Sequence, residues 1–309
     1  MTTLSEKTGS EKAEAPDLSH VIEPVRFAFD LADEDRLSAV WDSIFVKTAQ
    51  TRELFGLLEK LVRQNDSLKP RGMAVHGDPD AGKSFALSQF EKQHPPRQNP
   101  ETQFGDFPVL RIDTPPNYSW TSTCNRLLQK IHSPIPGRAR EMDLHDHTVD
   151  MLRRTSVRLV IFDEFTNVGA AGAQSARLTE YKKLLRAFVN ELQRPIVVAG
   201  IRTIVTELKD DPQLRTRIED QFELRPLKFA PDFQKAFAAF CHILPLKEIT
   251  DYRDSLLCRE LYDLSAGHLG KLAFLLRSAA ERAIELGVER ITREIIAGLP
   301  NYAIRTMRA

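Results

Sequence analysis

The chain has 309 residues, with 43 basic and 43 acidic side chains and a net charge of zero at pH 7. That balance excludes a protein whose whole surface recruits nucleic acid or an acidic membrane by charge alone, so any DNA contact has to come from a local basic patch. Cys124, Cys241 and Cys258 show neither CxxC spacing nor a histidine pairing suited to zinc, no run reaches the roughly 20 apolar residues of a membrane span, and no apolar signal core opens the chain. A soluble, cytoplasmic protein is expected.

Residues 1–20 are rich in Thr, Ser, Glu and Lys without periodicity, which predicts a disordered leader. Two amphipathic helices follow: Leu37, Val40, Trp41, Ile44 and Phe45 recur at helical spacing after Asp33–Asp35, and Leu54, Leu57, Leu58, Leu61 and Val62 repeat the pattern. Met73–His76 reads as a strand, 84–90 as the start of a helix, 108–113 as a second strand and 118–131 as a helix. Two prolines and a glycine make 133–140 a loop. A third strand at 157–162, a long helix at 177–192 and a fourth strand at 195–199 complete an alternation that implies a parallel sheet with helices on both faces. Beyond Pro231 only helical patterns remain, at 233–243, 252–264, 269–286 and 292–299. The expected organisation is therefore a leader (1–20), an α/β core with its N-terminal helices (21–230), and a small all-helical lid and tail (231–309).

Chemistry concentrates first in Gly77-Asp78-Pro79-Asp80-Ala81-Gly82-Lys83-Ser84, a full GxxxxGK[ST] phosphate loop between a predicted strand and a predicted helix. Its glycines let backbone N–H groups turn toward phosphate oxygens, Lys83 places a point charge at the terminal phosphates, and Ser84 offers a hydroxyl to Mg²⁺. ATP and Mg²⁺ are the expected cofactors. Asp163 and Glu164 close the apolar run 159–162. A carboxylate there suits magnesium, and the next one suits orienting the attacking water, so Asp163 is assigned to the metal and Glu164 to catalysis. An acidic pair that merely ends a strand is the plain alternative. After the fourth strand, Arg202 and Thr203 are candidates to face the γ-phosphate, and read equally as a glycine turn with a surface arginine. Arg217, ahead of Arg215, is the candidate arginine donated to a neighbouring subunit's nucleotide; a solvated basic helix end fits the same spacing.

Together these residues resemble the AAA+ ATPases that regulate DNA transposition, the TniB family and its TnsC relatives. The resemblance runs over about residues 35–300 and is most specific in 159–164, 190–197, 211–214 with Arg217, 244–246 and 265–270. It implies a P-loop AAA+ core with a parallel sheet between helices and a helical lid. It also implies an ATP-dependent selector that forms a ring or helical homo-oligomer on double-stranded DNA, works with a target-site accessory protein and recruits a DDE transposase, hydrolysis driving disassembly. By the same resemblance Arg217 acts across the subunit interface, and Arg138 and Arg140 fall in the segment that faces DNA in relatives, where phosphate contacts give affinity without base readout; by themselves they read equally as a solvated loop. Two positions depart from the pattern. Lys271 stands near where many AAA+ proteins carry a lid arginine, and lysine lacks the planar fork. Ile201 separates Gly200 from the polar pair 202–203.

Two other readings share these motifs. A helicase-loader ATPase acting on single-stranded DNA would keep the P-loop, the carboxylates and the arginine; the absence of aromatics beside Arg138 and Arg140 favours duplex over single strand. A signalling NTPase with no nucleic-acid role is compatible with the charge balance.

Overall fold

A computed structural model describes residues 17–41, 45–64, 69–101, 104–114, 119–137, 141–165 and 174–300. Most of the predicted leader, Arg138, Arg140 and the C-terminal tail lie outside the described residues. The chain divides into two compact units. One is built from 45–232 with 265–272, the other from the residues before 45, from 233–264 and from 273 onward.

The first of these units is organised by strands β1 (Met73–Gly77), β4 (Val109–Asp113), β5 (Leu159–Asp163), β6 (Ile196–Gly200) and β7 (Asp220–Leu224). They form one parallel sheet in the order β4-β5-β6-β1-β7. A separate two-stranded ribbon joins β2 (Arg97–Gln98) to β3 (Gly105–Asp106). All five residues of β1, β5 and β6 are buried, as required of parallel strands covered on both faces. On one face, α2 (Ala49–Val62) and α3 (Lys83–Lys92) pack Leu54, Leu58, Leu87 and Phe90 against Val75, Ile161 and Val197. On the other, α4 (Trp120–Lys130), α5 (Glu141–Arg154) and α6 (Gln174–Leu192) pack Leu127, Leu152, Leu184 and Phe188 against Ala74, Phe162 and Val198. Each of these side chains larger than alanine stabilises the fold by about 1.5–3 kcal/mol through area removed from water. Short helices α7 (Thr203–Lys209) and α8 (Pro212–Arg215) precede β7, and Asp211 caps α8 by accepting the N–H groups of Gln213 and Leu214.

Several elements escape the sequence pattern, among them the β2–β3 ribbon, α7, β7 and α5, and the last two show why. β7 is a sheet edge in which Asp220 and Gln221 are exposed and only Phe222 and Leu224 are buried, so no apolar run marks it. Helix α5 buries His145 and Thr148 beside Leu144, Val149 and Leu152, which breaks its apolar stripe. Helix α4 begins at Trp120, where Ser119 and Ser122 exchange hydrogen bonds between side chain and backbone in a capping box. At the other edge of the sheet, the backbone N–H of Arg111 donates to Glu91 Oε1 at 2.9 Å, so a side chain occupies a position where another strand could pair.

The second unit contains a 3₁₀ turn (Glu23–Asp30), α1 (Asp33–Trp41), α9 (Gln234–Cys241), α10 (Ser255–Ser265), most of α11 (Leu269–Glu285) and α12 (Arg293–Ala297). Leu257, Leu261, Leu275, Leu276, Ala279 and Ile296 are buried in it. Arg36 of α1 is 1% exposed and donates to Glu289 Oε1 at 2.6 Å. Helix α1 was expected with the α/β core; it belongs instead to the unit of the C-terminal helices, and this ion pair is part of what holds it there. Cys241 and Cys258 are buried in this unit and form no disulfide, Cys124 is buried in the other, and burial raises the thiol pKa of Cys241 and Cys258. Among the described residues no helix is long and apolar enough to cross a membrane.

Candidate functional site

Ligands of parallel α/β sheets sit at the carboxyl ends of the strands. Here β1 ends in the glycine loop and β5 ends in Asp163. The loop is shaped by close approach and by backbone sign. A Cβ on Gly77 would lie 2.4 Å from the Leu224 carbonyl oxygen, so the strand-to-loop turn admits no side chain there. Gly82 has open space around it but φ of +90°, in the region that L residues avoid. Asp80 also adopts positive φ, at 59°. Gly82 is the N-cap of α3 and brings no side chain to cap the first turn, which leaves the positive end of a ten-residue helix directed at the loop. Asp78, Pro79 and Asp80 are exposed, Ala81 is buried, and Lys83 and Ser84 are half-buried in the first turn of α3.

Lys83 Nζ donates to the carbonyl oxygens of Gly77 and Asp78 at 2.9 and 2.7 Å. Its ammonium is thus folded over the loop and held by oxygen atoms of the same type that phosphate would offer. Burial lowers the Lys83 pKa below its ordinary value, while Asp163, Asp78 and Asp80 act against that shift. The charge of Asp163 therefore reaches the loop lysine. Asp163 itself is 1% exposed. Its Oδ1 accepts the N–H of Glu164 at 2.8 Å, and its Oδ2 accepts from Arg111 Nη1 at 2.7 Å. Glu164 is exposed and turns out of the strand with φ of 54°. An uncapped helix end, a lysine bound only to carbonyl oxygens and a buried carboxylate at the same end of the sheet fit a magnesium-nucleotide; Lys83 and the α3 N-terminus would hold phosphate, and Ser84 and Asp163 the metal.

The start of α11 meets the same loop. The Gly270 N–H donates to the Asp80 carbonyl at 2.9 Å, and a Cβ on Gly270 would stand 2.5 Å from that oxygen. His268 places Nε2 3.3 Å from Asp78 Oδ2 and Nδ1 3.1 Å from the Ser265 carbonyl. Lys271 lies half-buried in the first turn of this helix. Gly270, which precedes Lys271, is thus required by contact with the phosphate loop.

Among the remaining candidates, Arg202 and Arg217 have partners of their own. Thr203 is exposed at the start of α7. Arg202 is 80% exposed and lies 3.7 Å from Glu223 on β7, beside a pocket of about 510 Å³ that also takes in His76 and Arg225. Arg217 directs Nη2 toward Asn190 Oδ1 at 3.4 Å in a surface pocket of about 700 Å³ lined also by Lys69, Arg71 and Gln213. Arg138 and Arg140 lie outside the described residues. Arg111, His268 and Gly270 enter the site without having been singled out for these contacts. The available signal for Arg111 was a cation in the middle of an apolar strand, Val-Leu-Arg-Ile-Asp.

A five-stranded parallel sheet with a phosphate loop after β1, an acidic pair after β5 and a trailing helical region defines an AAA+ ATPase. The profile of the family described as "Bacterial TniB protein" matches residues 36–228, and the chain belongs to that family. It is accordingly a transposition-associated ATPase. Among solved structures, the chain is similar to the Orc1 protein of Aeropyrum pernix in complex with DNA, at 17% identity and a TM-score of 0.58, covering 84% of this chain and 65% of that one. It is also similar to the ADP form of the Orc2 protein of the same organism (17% identity, TM-score 0.60, covering 85% and 69%). A third similar structure is Cdc6p from Pyrobaculum aerophilum (14% identity, TM-score 0.54, covering 83% and 72%). At these identities the likeness is one of fold. The chain spans just under two thirds of the Orc1 protein's length. A search of curated proteins gave no match.

Proposed function

We propose that this chain is an ATP-dependent regulator of DNA transposition that assembles on duplex DNA as a ring or helical filament, selects the target with an accessory protein, recruits a DDE transposase and leaves the DNA on hydrolysis. The observation that carries the reading is the gathering of Lys83, Asp163 and Glu164 at one end of the sheet in a TniB-family chain. Gly77 to Ser84 bind the phosphates through backbone N–H groups, and Lys83 exchanges the Gly77 and Asp78 carbonyls for phosphate oxygens. Ser84 and Asp163 would hold magnesium, which would supply neutralising charge at the phosphate oxygens. Glu164 orients the attacking water. His268 and Gly270 tie the first turn of α11, with Lys271, to the loop, so closure of the loop is transmitted to that helix.

Arg217, half-buried at a surface pocket, completes a neighbouring copy's site, and Thr203 and Arg202 monitor the phosphate from the end of β6. Arg138 and Arg140 contact DNA phosphates. The Orc1 protein was solved with DNA, and an Orc2 protein with ADPNP and ADP; both lend support to a nucleotide-dependent DNA assembly on this fold.

Electron microscopy of the purified chain with a non-hydrolysable ATP analogue, with and without random-sequence duplex, tests the reading. Filaments or stacked rings are expected only with nucleotide and duplex together. Lys83→Ala loses nucleotide binding and assembly alike, whereas Glu164→Gln keeps both and loses hydrolysis by about 100-fold or more, the scale of removing a group that acts on the transition state. Hydrolysis at the wild-type rate in Glu164→Gln would remove that residue from the mechanism. Monomers indifferent to duplex, or assemblies on single strands alone, would overturn the DNA reading.

A further inference from the structure

The parallel register sets Asp113 of β4 opposite Asp163 of β5. Because side chains alternate along a strand, Arg111 and Asp113 point to the same face as Asp163, the face covered by α3. The three groups meet at one atom. Arg111 Nη1 lies 2.6 Å from Asp113 Oδ1 and 2.7 Å from Asp163 Oδ2. The guanidinium therefore bonds two carboxylates through a single nitrogen, where a paired arginine usually grips one carboxylate with two. Its Nε is buried without a hydrogen-bond partner.

The two carboxylates differ in what they can do without the arginine. Asp113 is 49% exposed and has water available, while Asp163 at 1% has none. A buried carboxylate stays charged only beside a counter-charge. Arg111 is that counter-charge, since Lys83, whose charge also reaches Asp163, spends its hydrogen bonds on Gly77 and Asp78. The opposite oxygen of Asp163 accepts the Glu164 N–H, so the carboxylate is clamped on both sides, and through that clamp Arg111 also bears on the turn that projects Glu164.

We infer that Arg111 is a positioning residue that holds Asp163 in the metal-free site and transfers to Asp113 when a divalent cation takes Asp163. The inference rests on the ATPase reading above. The transfer needs little motion, because Asp113 is already bonded to the same nitrogen and Nε surrenders no bond. Arg111 thus opposes the metal by occupying Oδ2 and by like charge, and Asp113 favours the metal by receiving the arginine. The pair sets the cation concentration at which the nucleotide site becomes loaded. No proton moves and no bond other than hydrogen bonds and metal coordination changes.

The test measures Mn²⁺ binding by electron paramagnetic resonance in the presence of a non-hydrolysable ATP analogue, which requires no turnover. Arg111→Gln is expected to lower the half-saturating Mn²⁺ concentration by roughly three- to tenfold, the effect of removing one nearby charge in a partly screened site. Arg111→Lys stays near the wild-type value, because the charge remains. Asp113→Asn, at a half-exposed position where folding is not at stake, raises the half-saturating concentration by a similar factor. Should Arg111→Gln fail to fold, Asp113→Asn decides alone. Unchanged half-saturation in Asp113→Asn, or in a folded Arg111→Gln, overturns the inference while leaving the ATPase reading intact. A wild-type chain whose nucleotide complex takes up no Mn²⁺ would sink both.

Discussion

Each unit of the molecule pairs an arginine with a carboxylate that is largely or wholly buried, and the two pairs are built to opposite ends. In the helical unit, Arg36 is 1% exposed and bonded to a glutamate that is itself 11% exposed. Glu289 uses both oxygens: Oε1 takes Arg36 at 2.6 Å and Lys247 Nζ at 3.3 Å, and Oε2 takes the Lys247 backbone N–H at 3.1 Å. The ring of Phe29 lies 5.7 Å from the guanidinium carbon. In the sheet unit, Arg111 is 18% exposed, shares one nitrogen between two acids and borders a solvent-accessible pocket. Arg36 also has a second acid in reach, Asp33 Oδ1 at 3.4 Å from Nη1, but that nitrogen makes no hydrogen bond there. What separates the two cases is that Arg111 is less buried and is already hydrogen-bonded to both of its acids.

The sharpest way to break that comparison is to remove one member of the enclosed pair. Arg36→Met removes a charged hydrogen bond and leaves Glu289 only Lys247 as counter-charge, and is expected to destabilise the chain by about 1.5–3 kcal/mol, read from denaturant or thermal unfolding. ATP-analogue affinity of the folded fraction should not change, since every residue that holds the phosphates belongs to the other unit. Replacing both partners, as Arg36→Met with Glu289→Leu, should recover most of the loss, because the buried carboxylate disappears with its partner. A double variant as unstable as the single one would show that the pair's geometry, and not its charge, holds α1 in place.

Next in size is the junction between α11 and the phosphate loop. Gly270→Ala puts a methyl 2.5 Å from the Asp80 oxygen, a backbone atom that cannot swing aside. Overpacking of this kind costs about 1–3 kcal/mol. The displaced loop should also bind the ATP analogue more weakly, which separates this variant from Arg36→Met, where stability and binding are independent. Retained affinity would mean that the loop reaches its binding shape without the contact to α11.

These two sites also mark how far the sequence could be read. The α/β class, the strand that ends in the phosphate loop and the acidic pair closing β5 are local facts: spaced glycines before a helix, and an apolar run ended by carboxylates. Contacts that depend on register were not legible. Arg111 meets Asp163 only because β4 lies beside β5 with Asp113 opposite Asp163, and nothing local to either segment fixes that pairing. Gly270 lies in a stretch that carries the family resemblance, yet its reason is an oxygen nearly two hundred residues upstream. Helix α1 looked like a neighbour of the P-loop by position in the chain; Glu289, near the other terminus, decides where it packs. β7 and α5 were missed because an edge strand and a helix with a buried histidine show mixed polarity.

The smallest expected effect concerns His76, the last residue of β1 before Gly77. It is 5% exposed and its Nδ1 has no hydrogen-bond partner. Burial lowers its pKa below the ordinary 6.5; of the charges facing it, Glu223 opposes the shift and Arg202, Lys83 and Arg225 add to it. The folded chain therefore keeps His76 neutral at a pH where the unfolded chain has taken up a proton. Stability from this group is fully present above the unfolded value, and is lost as the pH falls from 6.5 toward the lower folded value. Over one pH unit below the unfolded pKa the loss is at most about 1.4 kcal/mol. His76→Gln removes the titration, so the difference in unfolding free energy between wild type and variant should shift with pH in that interval and be constant above it. A difference that stays flat would mean that the Glu223 carboxylate compensates the ring, and that the arginines on either side of it serve Glu223 more than they oppose His76.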